Sequence, residues 1–216
     1  IHVGPHKTAS TFLQELIFTK ENGFNLLNNY LVPYEDKVMR YLISGQGKEE
    51  ALKSLDARMD RSLVNVISSE RLSGHPYSYW SDAEDIAQRI NELPYNMMYL
   101  FVSRIDNNWL RSVYSQLLKQ GYKETLSYWI DYHWQNVYLV YPLDRTMKVL
   151  EELYISTEKP LYIMDFDLFK ENKNYVSEFF LNNFNLTVKY ENRKVNARKV
   201  VWFRFWILLN RLSVSR

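Results

Sequence analysis

The feature that most limits what this chain can fold into is an alternation along its length. Short apolar runs at 1–4, 63–67, 97–102 and 160–164 are separated by longer stretches with helical periodicity. Runs this short, bounded by polar residues and in one case β-branched, read as buried strands. Between the first two, residues 10–20 place Phe12, Leu13, Leu16 and Ile17 on one helical face. Further helices are expected at 81–93, 107–120, 143–153, 175–183 and, in the tail, 197–212. The first of these opens on the capping-box pattern Ser81-Asp82-Ala83-Glu84 and stops at Pro94. Strands alternating with helices of this length imply βαβ units, hence an α/β fold with a central, mainly parallel sheet flanked by helices. Ligands of such sheets bind beyond the carboxyl ends of the strands. The polar residues that follow each strand are therefore the ones to weigh.

Composition narrows the chemistry further. The 216 residues suit a single domain spanning 1–216. Residues 22–60, helical in pattern with a Gly-Gln-Gly break at 45–47, read as a substrate-facing insertion. A net charge of +2 gives no reason to expect a nucleic-acid partner, and any anion site must come from cations placed locally. The absence of cysteine excludes disulfides, thiolate metal ligands and a cysteine nucleophile. Four histidines without clustered carboxylates lead to the expectation of no metal. No apolar run of about 18 residues suggests a membrane span; the nearest, 200–209, is short and interrupted by Arg204. The chain therefore reads as cytoplasmic, with Trp202, Phe203 and Trp206 either lining the core or touching a membrane surface. Because residue 1 already stands inside a strand, native residues before Ile1 are expected. The 17 tyrosines and 6 tryptophans fit either a ring-binding cleft or a tyrosine-rich core and surface.

The loop after the first strand carries the strongest local signal. Gly4-Pro5-His6-Lys7-Thr8-Ala9-Ser10-Thr11 joins a strand to a helix, where backbone N–H groups favour an anion. Lys7 adds a full charge and Thr8, Ser10 and Thr11 add hydroxyls. An ordinary polar turn with a Ser or Thr cap is the alternative. It is not a Walker A loop, because His6 rather than glycine directly precedes Lys7. A second signal follows the third strand. Arg104 ends that strand and Ser112 lies eight residues on, in the next helix. Arginine presents a planar fork to phosphate, although such Arg–Ser spacing is common by itself; Arg111 either assists or faces solvent.

Together these two elements resemble PAPS-dependent sulfotransferases, whose 5′-phosphosulfate loop carries Lys-(Ser/Thr)-Gly-(Ser/Thr)-Thr after a strand. The segment 160–168 is similar to a later strand of that family leading into an acidic turn. The resemblance implies a P-loop-like three-layer fold, with PAPS (3′-phosphoadenosine 5′-phosphosulfate) as co-substrate and PAP as product, and no metal. It implies that His6, Lys7, Thr8, Ala9, Ser10, Thr11 and Phe12 surround the 5′ group. Lys7 would stabilise charge on the bridging oxygen, and Arg104 and Ser112 would hold the 3′-phosphate. Arg198, in the basic stretch 193–199, falls where the family covers that phosphate; a solvated helix start is the other reading. Ala9 departs from the pattern by standing at the glycine position, so the loop is expected to close without a left-handed residue there.

The family uses a glutamate or histidine base, and Ser68-Ser69-Glu70-Arg71 follows the second strand. Glu70 is the first candidate, with an ion-pairing or capping role as its alternative. His75 is the second. His6 flanks the loop and orients donor or acceptor, while His133 reads as packing or acceptor binding. The acceptor expected is a hydroxyl on a glycan or other saccharide-bearing molecule. A P-loop kinase and a non-catalytic binding module that kept the fold are the rival readings.

Overall fold

The computed structural model describes residues 1–29, 34–78, 80–104, 109–129, 146–172 and 174–190. The strands are β1 (His2–Val3), β2 (Phe24–Leu26), β3 (Val64–Val66), β4 (Ser68–Ser69), β5 (Tyr99–Ser103) and β6 (Leu161–Asp165). The helices are α1 (Ser10–Phe12), which continues as a π-helical turn over Leu13–Ile17, α2 (Lys37–Ser44), α3 (Lys48–Arg58), α4 (Ala83–Asn91), α5 (Trp109–Lys119), α6 (Thr146–Ile155), α7 (Phe166–Glu171) and α8 (Tyr175–Phe184). The central sheet has the order β4-β1-β5-β6, and β2 pairs with β3 beside it. Every pairing is parallel.

The two sheets are nearly one. Only Ile67 separates β3 from β4, and Leu27 donates its backbone N–H to Val66 O at 2.7 Å. Beyond that point the Asn28 side chain stands in for a strand. Its Oδ1 accepts from Ser68 N at 2.8 Å and its Nδ2 donates to Ser68 O at 3.0 Å. The chain thus lays β2 farthest out on one side, comes back through β3 and β4 to lie beside β1, then crosses to the other side to add β5 and β6. The order reverses at β1, and that switch point is where a crevice opens in sheets of this kind.

Alternation along β5 divides the interior. Tyr99 and Phe101 enter one core with residues of α2, α3, α4, α5 and α6, whereas Leu100 and Val102 enter a second with Phe12, Leu13, Ile17 and residues of α8. Successive strand side chains point to opposite faces, so helices cover both faces and the architecture is α/β in three layers. All five β5 residues are buried, as the inner strand of a parallel sheet requires. Among the described residues, no helix is long and apolar enough to cross a membrane.

Several local expectations shift. The segment 22–60 contains strand β2, and its helices α2 and α3 give Val38, Met39, Leu42, Ala51 and Leu55 to the larger core. The helix expected over 10–20 ends at Ile17, where buried Asn22 donates Nδ2 to Leu16 O and Ile17 O. The capping box at 81–84 is not formed. Asp82 is the N-cap of α4 but makes no capping hydrogen bond, because its carboxylate turns to Arg71 and to the His75 backbone. The tail helix expected over 197–212 lies outside the described residues, as do His133 and Arg198.

Candidate active site

Three parallel strands end side by side. Val3 is in register with Ser69 of β4 and with Phe101 of β5, so Gly4, Glu70 and Arg104 leave the sheet at one end. The loop 4–9 is folded tightly there. A Cβ on Gly4 would lie 2.7 Å from Thr8 Oγ1 and 3.2 Å from both His2 Nε2 and Ser10 Oγ. Thr8, fully buried, donates its hydroxyl to Pro5 O at 2.6 Å. The only proton of that hydroxyl is therefore committed within the loop, and Thr8 closes the turn.

Ala9 is left-handed, with φ 61°, and so is Lys7, with φ 72°. The expectation that the loop closes without left-handed backbone at the glycine position is thus overturned. An L-residue there costs roughly 1–2 kcal/mol, and long-range donors hold it in place. Arg104 Nη1 donates to Lys7 O at 2.8 Å and Trp109 Nε1 donates to His6 O at 2.7 Å. A left-handed residue followed by right-handed helix, as at Ala9-Ser10, builds the kind of backbone concavity that receives anions. Buried Ser10 Oγ and His6 Nδ1 have no hydrogen-bond partner in the protein, whereas buried polar groups normally have one. Thr11 is half-buried beside them. Phe12 points away from the loop, its ring 4.8 Å from Phe169 and 5.3 Å from Tyr190; it anchors the start of α1 in the core.

Glu70 opens a 3₁₀ turn (Glu70–Ser73) directly after β4, with Ser69 accepting Arg71 N as the cap. Burial pushes the Glu70 carboxyl above the usual carboxylate range, against the pull of the Lys7 charge and a hydrogen bond from the Lys7 backbone. His6 Nε2 lies 3.9 Å from Glu70 Oε2. That is beyond hydrogen-bonding distance. Nor is it an ion pair at neutral pH, since burial, helped by the fields of His75, Arg71 and Lys7, lowers the His6 pKa to about 3.

His75 sits behind this pair, its ring 6.3 Å from His6 in an edge-on arrangement. Its backbone N–H donates to Asp82 Oδ1 at 2.9 Å, and Arg71 Nη2 donates to Asp82 Oδ2 at 2.8 Å. Asp82 thereby fixes the turn that carries Glu70, a role no sequence motif indicates. Beneath the loop, His2 Nδ1 meets Ser68 Oγ at 2.6 Å and Gln14 Nε2 donates to the same oxygen at 3.0 Å. This buried network was also invisible in the sequence, where His2 reads only as a strand residue and Ser68 only as a polar residue after a strand.

On the far side, the Arg104 guanidinium lies over the Phe166 ring at 4.7 Å. Ser112 is half-buried and Arg111 exposed on α5, whose first residue, Trp109, touches the loop. Lys7, Ser10, Glu70, His6 and Arg104 are thus brought together, and His75 stands one layer back. Among the described residues, no group of three or more His, Asp or Glu side chains is arranged to hold a metal. An apolar cavity of about 370 Å³ bordered by Ile1, Phe24, Leu55, Met97 and Phe180 lies at the opposite, amino end of the strands. Comparison of the chain with protein-family models, with curated proteins and with solved structures finds no match.

Proposed function

We propose that this chain is a sulfotransferase that moves a sulfuryl group from PAPS to an acceptor hydroxyl, in a P-loop-like site at the switch point of the sheet. One observation carries the reading: a strained, cation-bearing loop at the end of β1 is held by the arginine that follows β5 and faced by a half-buried carboxyl, raised by desolvation, directly after β4. The residues present fit the donor. Ser10 Oγ and His6 Nδ1 are buried polar atoms without protein partners, and Lys7 supplies the charge. In this reading Lys7 and Ser10 hold the 5′ group, and Arg104 with Ser112 holds the 3′-phosphate.

The chemistry then divides among named atoms. The acceptor oxygen bonds to sulfur as the bond from sulfur to the bridging oxygen breaks, leaving PAP. The acceptor proton passes to Glu70. The negative charge left on the bridging oxygen is stabilised by the Lys7 ammonium. A carboxyl raised by burial is a stronger base than an exposed one, which moves it toward the pH where general-base catalysis is effective. Fixed donors aimed at developing charge supply the other large contribution. The acceptor class we favour is a glycan hydroxyl.

Thermal denaturation with PAP, ADP and ATP tests the donor assignment. Binding to the folded state alone raises stability by RT ln(1 + [L]/Kd), about 2.7 kcal/mol at a hundredfold excess over Kd. PAP should stabilise and ADP should not, and Lys7→Ala should lower turnover more than PAP affinity. Equal shifts from PAP and ADP would turn the reading toward a kinase.

A further inference from the structure

The loop's unusual backbone has an external cause. His6 O and Lys7 O belong to successive residues, and each accepts from a side chain more than ninety positions away, Trp109 Nε1 and Arg104 Nη1. The backbone they hold is left-handed at Lys7 and Ala9, a conformation that non-glycine residues keep only when their surroundings over-determine it. Of the two clamps, Trp109 is the better buried, at 4% exposure. Its ring lies on fully buried Trp80, centroids 5.4 Å apart and planes 31° from parallel. Trp80 in turn donates its backbone N–H to His75 O at 2.9 Å. The indole N–H is therefore aimed by a partner tied to the turn that carries Glu70.

We propose that Trp109 is the positioning residue of the anion loop: its bond to the His6 carbonyl, aimed by Trp80, keeps the Lys7–Ala9 backbone and the Lys7 ammonium in place for a nucleotide phosphate. The use of that loop for a nucleotide rests on the reading above, while the clamping of the loop does not. Trp109 touches no reacting atom in this scheme. It acts through Lys7.

Trp109→Phe removes the clamp while keeping an aromatic ring against Trp80, because a phenyl ring occupies most of the site but donates nothing. Hydrogen exchange on the full chain should show the amides of 6–10 exchanging about tenfold faster in W109F, with those of β5 unchanged. PAP, used as the probe, should bind about tenfold more weakly. Ala9→Gly removes the left-handed penalty at one of the two strained positions, so A9G/W109F should recover most of that affinity. Wild-type exchange in the loop of W109F, or faster exchange everywhere, would overturn the proposal. If W109F fails to fold, the double variant decides: folding and PAP binding by A9G/W109F support the clamp, and its failure to fold makes Trp109 a core residue only. A wild-type protein that binds no PAP would defeat the donor assignment and leave the exchange result to judge the clamp.

Discussion

Gly4→Ala tests the loop geometry with a single methyl group. The added Cβ would lie 2.7 Å from Thr8 Oγ1, closer than real Cβ contacts come, and 3.2 Å from His2 Nε2 and Ser10 Oγ. Thr8 has little room to yield. It is fully buried, β-branched and therefore stiff about χ1, and bonded to Pro5 O at 2.6 Å. Overpacking of this kind costs about 1–3 kcal/mol, and losing the Thr8 hydrogen bond adds about 1 kcal/mol. The expected destabilisation is about 2–4 kcal/mol, or roughly 10 °C in Tm for a domain of this length. Urea denaturation followed by circular dichroism measures it. Thr8→Ala removes the clashing oxygen, so G4A/T8A should be more stable than the sum of the two single variants by about 1–3 kcal/mol. A G4A protein within about 0.5 kcal/mol of wild type, the scatter of ordinary surface substitutions, would refute the reasoning. Strict additivity in the double variant would refute it equally.

Stability should also fall with acid earlier than carboxylate titration explains. His2 and His6 are held neutral, both lowered to about 3, largely by burial. Groups depressed in this way stabilise the fold above their unfolded pKa near 6.5 and lose that contribution as pH falls below it, about 1.4 kcal/mol each at pH 5.5. Glu70 acts in the opposite sense, because a raised carboxyl favours the fold as pH drops. Denaturation midpoints flat between pH 7.5 and 5.5, in both wild type and Glu70→Gln, would contradict the buried neutral histidines. For Glu70→Gln itself, stability at pH 7 should equal or exceed wild type, since the cost of a partly desolvated charge is gone. Its kcat should drop by about 10²–10⁴, and a lower Tm with retained turnover would make Glu70 structural.

The sheet was legible where burial leaves a plain mark on composition. An inner parallel strand is covered on both faces and reads as an unbroken apolar run, as 97–102 does for β5. Strand β2 left no such mark. Its middle residue, Asn25, pairs through its side chain with Asn65 Oδ1 at 2.8 Å across the ladder, so the residue that ties the strand down is the one that makes it look like a loop. The capping box at 81–84 misled for a related reason. Asp82 had a local bond available in α4, but Arg71 and the His75 N–H compete for the same carboxylate. A charged partner at 2.8 Å outweighs a cap in free energy.

The candidate site divides along the same line. Lys7, Glu70 and Arg104 stand out in the sequence because each lies at or shortly beyond a strand's carboxyl end, and strand ends are a property of neighbours in sequence. The conformation of Ala9 was misjudged because its cost is local and its compensation is not. The side chains that hold the loop enter from positions 104 and 109, and in sequence Trp109 is simply one more apolar residue on an amphipathic helix. Nothing in the periodicity of α5 separates a tryptophan that fills space from one that donates a hydrogen bond to His6. The difference lies in a single N–H directed at a carbonyl 2.7 Å away, and only a packed structure fixes such a direction. A glycine in the loop would have announced its backbone freedom in the sequence. This chain instead reaches the same shape with ordinary residues held from outside, so the rigidity of the loop is a tertiary property, and substitutions at Trp80 or Trp109 should reach the loop without touching any of its residues.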